Sequence, residues 1–203
     1  MSFVEKVVTR ELSLGREHLV GKIAIFYGNQ HSTFVDLEAL YSSYALSRIK
    51  QVHGSKIIQA ELSNQQILEA DGHWTTDSTK ALAIVTADCL PVFFWSTTSD
   101  LMGATHAGWR GVEQEIVPKM IELFITKCSV QSFRASIGPH ILFSDFEVGP
   151  GVKDALLKIA EKYSQGKSTD VLIRPHKDSQ KYYINLTEIV LRQFEFFNIN
   201  RNQ

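Results

Sequence analysis

Three short segments concentrate the side chains able to do chemistry: 51–54 (QVHG), 86–91 (TADCLP) and 105–111 (THAGWRG). Each sets one soft or borderline metal ligand beside a Gly or Pro turn, and together they offer His53, Cys89 and His106. Two neutral imidazoles and one thiolate suit zinc, and a copper ion is chemically admissible. The intervals are 89 − 53 = 36 and 106 − 89 = 17 residues, so the ligands must come from separate elements. A structural zinc finger instead closes four ligands from tight pairs. Three protein ligands leave a fourth position for water or substrate, as catalysis needs. The plainer alternative stands beside this one: a Cys at a strand end is commonly a small buried hydrophobe, and a loop His a surface group. Spacing alone does not choose between them.

Two neighbours extend the metal reading. Asp88, adjacent to Cys89, is the carboxylate nearest in sequence for proton transfer, although Asp is also a common turn former. Arg110 offers a planar guanidinium suited to phosphate; its plainer role is a salt bridge. Gly108 and Gly111 flank it and permit tight turns.

The elements that must position these groups can be read from hydrophobic spacing. Residues 22–27 (KIAIFY) read as a strand, followed by a polar loop at 28–33. Leu37, Leu40, Tyr41 and Tyr44 recur at helical spacing and predict a short helix ending before Arg48, with 48–52 extended. The apolar runs 81–86, 91–95 and 101–105 read as strands, with turn chemistry at 88–91. Ile116, Val117, Met120, Ile121 and Phe124 form one helical stripe, which Pro118 starts or kinks. Residues 133–137 read as a strand stopped by Gly138-Pro139. Two more amphipathic helices carry Val152 to Tyr163 and Leu186 to Phe197. Strands cluster first and then mix with helices, without βαβ alternation. The pattern predicts an α+β fold of mixed sheets packed with helices, in one domain over residues 1–203.

Composition narrows the function. The chain has 203 residues, 21 Lys+Arg against 22 Asp+Glu, a formal net charge of −1, seven His and two Cys. Such a length suits one core. The charge balance argues against a nucleic-acid partner and against a polybasic membrane patch. Cys89 and Cys128 read as reduced thiols. The first twenty residues interleave charges with apolar residues, and the apolar runs are strand-length, so neither a signal peptide nor a membrane span is expected. The expectation is a soluble, cytoplasmic protein. Among the other histidines, His18, His31, His73 and His176 sit in polar sequence and read as solvent-facing; His140 follows a Gly-Pro turn.

The order QVHG, TADCLPV, HAGWRG resembles the signature of the bacterial laccase-domain (YfiH-like) proteins. Ala70-Asp71-Gly72, Ser136-Ile137-Gly138-Pro139, Phe146-Glu147-Val148-Gly149 and Tyr183-Ile184-Asn185-Leu186 extend the similarity over about residues 48 to 199. That family is regarded as purine nucleoside phosphorylases with adenosine deaminase activity. The resemblance implies that His53, Cys89 and His106 bind zinc. It also implies phosphorolysis of adenosine, inosine, guanosine and methylthioadenosine to free base and ribose 1-phosphate, with adenosine deamination beside it. The partners implied are a small nucleoside and phosphate. The sequence departs from the pattern at 26–36 (FYGNQHSTFVD), which lacks the family's Gly-Gly-Val-Ser and Ser-Leu-Asn segments. It departs again at Ser144-Asp145-Phe146, where the family often pairs cysteines, and Gln203 falls about where the family shows a late Cys-Thr.

Three alternatives make distinct demands. A Cys-His hydrolase or deamidase would use Cys89 as a nucleophile with His106 or His53 as base. A copper-dependent polyphenol oxidase could build one copper site from this donor set, but a multicopper enzyme needs about ten His across several sites. A non-catalytic binding protein would tolerate a degenerate site.

Overall fold

The computed structural model describes residues 7–12, 14–20, 23–29, 31–60 and 67–200. Lys22, the first residue of the strand expected at 22–27, and residues 1–6 of the charged opening segment lie outside them.

A five-stranded sheet carries the molecule's centre. Its members are β5 (Ile57–Gln59), β6 (Gly72–Thr75), β8 (Leu90–Ser96), β9 (Met102–Ala107) and β10 (Phe133–Ile137), in the order β10-β8-β9-β6-β5. Only the β5–β6 pair is parallel. An antiparallel meander of β1 (Val7–Leu12), β2 (Gly15–Val20) and β3 (Ile23–Gly28) precedes it. A two-stranded parallel pair joins β4 (Ala45–Ser47) to β7 (Lys80–Leu82). A third small sheet orders β11 (Glu147–Val148), β13 (Tyr182–Ile184) and β12 (Ile173–Pro175). The helices are α1 (Phe34–Leu40), α2 (Trp109–Glu113), α3 (Ile116–Ile125), α4 (Pro150–Lys162) and α5 (Leu186–Phe196). The architecture is the expected mixture of sheets and helices.

The central strands alternate with a period of two, and the two faces have different fates. On one face Leu90, Val92 and Phe94 of β8 meet the helices, the Phe94 ring lying tilted against Phe124 of α3 and edge-to-face with Phe194 of α5. Gly103 belongs to this face; a Cβ there would lie 2.9 Å from Met120 Sδ and from Phe124, so α3 can approach β9 only because the side chain is absent. Burial of Met120, Ile121, Phe124, Ile189 and Val190 makes this the main core. Each buried aliphatic side chain contributes about 1.5–3 kcal/mol of transfer free energy. The opposite face carries Phe93 and Trp95 of β8 with Met102, Ala104 and His106 of β9, as the register Phe93↔Ala104 and Pro91↔His106 requires.

Several readings from the sequence change at their edges. The helix expected through Tyr44 ends at Leu40: a Thr33–Asp36 capping box starts it, but it buries no residue. Without a buried stripe nothing extends it, and Tyr41 instead turns its hydroxyl to the buried carboxylate of Glu17. The strand expected over 81–86 is only β7; beyond Leu82 the chain peels away toward the Gln51 side chain. His176 is also not solvent-facing: its side chain is 5% exposed, packed near Tyr183 and bonded to Glu147.

His73 departs furthest from expectation. It lies on β6 facing β4, fully buried, with Nδ1 3.1 Å from the Ser47 hydroxyl. Burial pushes its pKa down to about 4, so the folded state holds it neutral. In the unfolded chain it titrates near 6.5, so the unfolded state binds the proton first as pH falls. Stability from this group is complete above pH 6.5 and is lost progressively toward pH 4. Urea unfolding at pH 7 and pH 5 should differ by about 2 kcal/mol more in the wild type than in His73→Gln, which does not titrate.

Candidate metal centre

The three ligand candidates stand at the ends of three segments and meet at one end of the sheet. His106 is the penultimate residue of β9 and Cys89 sits in the bend entering β8, where Pro91 pairs with His106. His53 occupies the bend before β5, with a left-handed φ of 60°. A non-glycine residue in that region costs on the order of 1 kcal/mol, so the surrounding bonds must hold it there.

Asp71 supplies those bonds. Its carboxylate is fully buried and accepts from the backbone N–H groups of Val52 (3.2 Å), His53 (2.9 Å) and Gly54 (2.7 Å). It also accepts from His106 Nδ1 at 2.9 Å. Because the carboxylate can only accept, the Nδ1 of His106 carries the proton and Nε2 is left as the ligand atom. Burial alone would raise the Asp71 pKa, but the bonds from His106, Gly54, Val52 and His53 outweigh it and hold it below the usual range. One carboxylate thus sets both the backbone of one histidine and the tautomer of the other.

Gln51 ties the third segment in. Its side-chain amide donates to Val85 O (2.7 Å) and accepts from Val85 N (2.8 Å), a two-bond bridge from the His53 bend to the chain leading into Cys89. Lys119 of α3 reaches the same bend through the Ser55 hydroxyl at 2.6 Å.

One ligand atom from each of His53, Cys89 and His106 lies within 4.8 Å of the others, and the two imidazoles are 4.7 Å apart between ring centres. Tetrahedral zinc, with bonds of about 2.0–2.3 Å, spaces its ligand atoms about 3.5 Å apart, within reach of small side-chain rotations. The donor set, its convergence and the oriented His106 fit a metal ion. Burial is graded across the group: His106 is buried, Cys89 half-buried and His53 exposed. One side therefore opens to solvent.

Gly108 keeps the space between the ligands. A Cβ at this position would stand 2.9 Å from Cys89 Sγ and 3.3 Å from His53 Cδ2. Its φ of −66° suits any residue, so the requirement is purely for room. Gly108→Ala is expected to wedge the two ligands apart and weaken metal binding about tenfold or more, measured by competition with a chelator, with little change in metal-free stability.

The other two candidates lie at the margin. Asp88 is exposed; its backbone carbonyl accepts from Ile141 N at 2.9 Å. Burial raises the Cys89 thiol pKa, and the charges of Asp88 and Asp71 raise it further. Arg110 is exposed on α2, its guanidinium 4.3 Å from the Trp109 ring centre, and no ion pair engages it among the described residues. Segment 105–111 is a strand end, an N-cap at Gly108 and a short helix. Glu147, by contrast, is engaged by Lys181 and His176 on the third sheet.

Fold and site now define a class: a mixed sheet whose strand ends gather a His–Cys–His group able to hold a metal. A family profile, described as multi-copper polyphenol oxidoreductase laccase, matches residues 29–203, and the chain belongs to this family. The purine nucleoside phosphorylase of Haemophilus influenzae is 31% identical over 153 residues, covering 75% of this chain and 59% of that protein. Purine nucleoside phosphorylase YfiH of Escherichia coli K12 is 30% identical over 116 residues, 57% of this chain and 47% of the relative. The chain thus spans about half the length of these relatives. The crystal structure of Bacillus licheniformis hypothetical protein YfiH shares the fold, with a TM-score of 0.77 at 17% identity over 93% of this chain and 84% of that one. YlmD from Geobacillus stearothermophilus gives a TM-score of 0.69 at 24% identity, covering 81% and 64%. No helix among the described residues is long and apolar enough to cross a membrane.

Proposed function

We propose that the chain acts on purine nucleosides in a metal-dependent site, cleaving them with phosphate to free base and ribose 1-phosphate and deaminating adenosine. The observation that carries this reading is the convergence of His53, Cys89 and His106 around the Asp71 carboxylate, in a chain whose relatives are named purine nucleoside phosphorylases. Zinc is the proposed ion; it would be held by these three residues and would supply Lewis-acid polarisation. Asp71 keeps His106 in the ligating tautomer and the His53 bend closed. Asp88, at the exposed edge, is the proposed proton carrier. Arg110 is the proposed phosphate ligand: its guanidinium is solvent-facing, stacked on Trp109 and not consumed by a carboxylate among the described residues. Phosphate and nucleoside are the proposed small-molecule partners.

Two observations weigh against the alternatives. The raised pKa of Cys89 leaves little thiolate for a free nucleophile at neutral pH. A multicopper oxidase needs several metal groups, and the described residues hold this one cluster of three His, Cys, Asp or Glu ligands. Incubating metal-replete protein with adenosine and phosphate should give adenine and ribose 1-phosphate, with inosine as a second product; absence of all three rejects the reading. Arg110→Ala should lower kcat/KM for phosphate at least tenfold while leaving phosphate-free deamination unchanged, resolved by chromatography of the products.

A further inference from the structure

Segments 136–139 (SIGP) and 183–186 (YINL) contain none of the three ligands. The fold brings their ends together: His140, just past the first, bonds to Thr187, just past the second. The loop that carries His140 lies along the Cys89 bend. Gly138 N donates to Pro91 O and Ile141 N donates to Asp88 O, each at 2.9 Å, so the two bonds reach the chain on either side of Cys89. At its start the loop is wedged tight: a Cβ on Gly138 would meet Tyr27 Cε1 at 2.6 Å and Pro91 Cγ at 2.8 Å. At its far end Leu142 is exposed and adds little packing.

His140 supplies a hold where packing is thin. Its Nδ1 lies 2.6 Å from Gly138 O and its Nε2 lies 2.7 Å from the Thr187 hydroxyl. A carbonyl can only accept, so Nδ1 carries a proton and, in the neutral ring, Nε2 accepts from Thr187. Thr187 stands in the first turn of α5, whose Leu186, Ile189 and Val190 are buried in the main core. One imidazole thus spans from the loop to a helix anchored in that core. Both of its nitrogens are engaged, so neither is left to meet a substrate.

We propose that His140 is a positioning residue for the thiolate ligand: by bracing loop 138–141 against α5, it keeps the Cys89 bend turned toward His53 and His106. The inference rests on the metal reading of those three residues. It concerns the ligand on the far side from Asp71, whose carboxylate bonds to the His53 bend and to His106. The Cys89 segment is held instead by the Gln51 bridge to Val85 and by this loop.

Two readouts follow the thiol itself. In cobalt-loaded protein, the thiolate-to-cobalt charge-transfer band reports the bond from Cys89 to the ion. In metal-free protein, the rate of Cys89 alkylation by iodoacetamide, followed by peptide mass spectrometry, reports how open the bend is. Cys128, the other half-buried thiol, is the internal reference. His140→Ala and Thr187→Val should each weaken cobalt binding about tenfold in chelator competition and reduce the band. Each should also speed Cys89 alkylation severalfold and leave Cys128 unchanged. The double variant should be no worse than either single one, because both remove the same bridge. His140→Gln, whose amide can take the place of Nε2, should keep most of the affinity; His140→Asn, whose amide reaches only Gly138 O, should behave as His140→Ala. Thr187→Val is nearly isosteric and decides the matter if His140→Ala fails to fold.

An unchanged band, affinity and Cys89 rate in folded Thr187→Val would overturn the brace. Additive losses in the double variant, or equal acceleration at Cys128 through general loosening, would do the same. A wild type that takes up no cobalt would reject the metal reading itself, and the metal-free alkylation rates would still decide whether His140 holds the bend.

Discussion

Cys89→Ala is expected to reduce metal content from one ion per chain to background, by elemental analysis of protein loaded and desalted in parallel with the wild type. Three ligands are the minimum that holds an ion while leaving a position open, and the thiolate is the only anionic member of this set. Its removal takes charge as well as a bond. The proposed purine nucleoside turnover should fall roughly a thousandfold, because polarisation by the ion would be worth several kcal/mol. A stability measurement separates loss of the ion from loss of the fold. At metal concentrations 1,000 times Kd, the wild type should gain about 4 kcal/mol against unfolding and the variant nothing. Without metal the two should unfold alike, since Cys89 is only half-buried. Rapid alkylation of Cys89 in metal-loaded wild type would turn the reading toward the nucleophile alternative.

Asp71→Asn should be the most damaging change outside the ligands. The side chain keeps its size, but its NH₂ group must face N–H donors, of which the carboxylate now accepts three from the backbone and one from His106. Loss of a buried, multiply bonded charge costs on the order of 3 kcal/mol of stability. Because His53 sits at a φ of 60°, its bend has reason to relax once those bonds fail. His106 would lose the partner that fixes its tautomer, and metal affinity should drop about 10- to 100-fold. Urea unfolding and chelator competition measure the two effects. A variant that loses stability but binds metal normally would show that Asp71 serves the loop alone.

What the sequence disclosed follows from the kind of signal each element carries. Strands β8, β9 and β10 and helices α3, α4 and α5 bury continuous or periodic apolar faces, and their limits fall within a residue or two of the hydrophobic pattern. Helix α1 buries nothing, so the Leu37–Tyr44 spacing had no packing to sustain it. Residues 83–86 look like strand, but a side chain far away in sequence, Gln51, takes the backbone bonds of Val85. His73 reads as polar surface because burial depends on β4 arriving across the strand, which local composition does not encode. At the site, the ligand types and the motif order carried His53, Cys89 and His106. Asp71 was visible only as part of Ala70-Asp71-Gly72, and its four bonds come from residues 17 to 35 positions away. Gln51 sat inside QVHG with no sign of its partner.

The graded exposure of the three ligands bears on how an ion would be exchanged. His106 is walled in and pinned by Asp71, Cys89 is intermediate, and His53 stands at the solvent edge. An ion leaving this group would shed its outermost bond first, and an incoming ion or a chelator would have to use the same door. Exchange would then be sequential, its rate set by the swing of one imidazole and by the hold of the bend beneath it, while the inner pair decides how tightly the ion is kept.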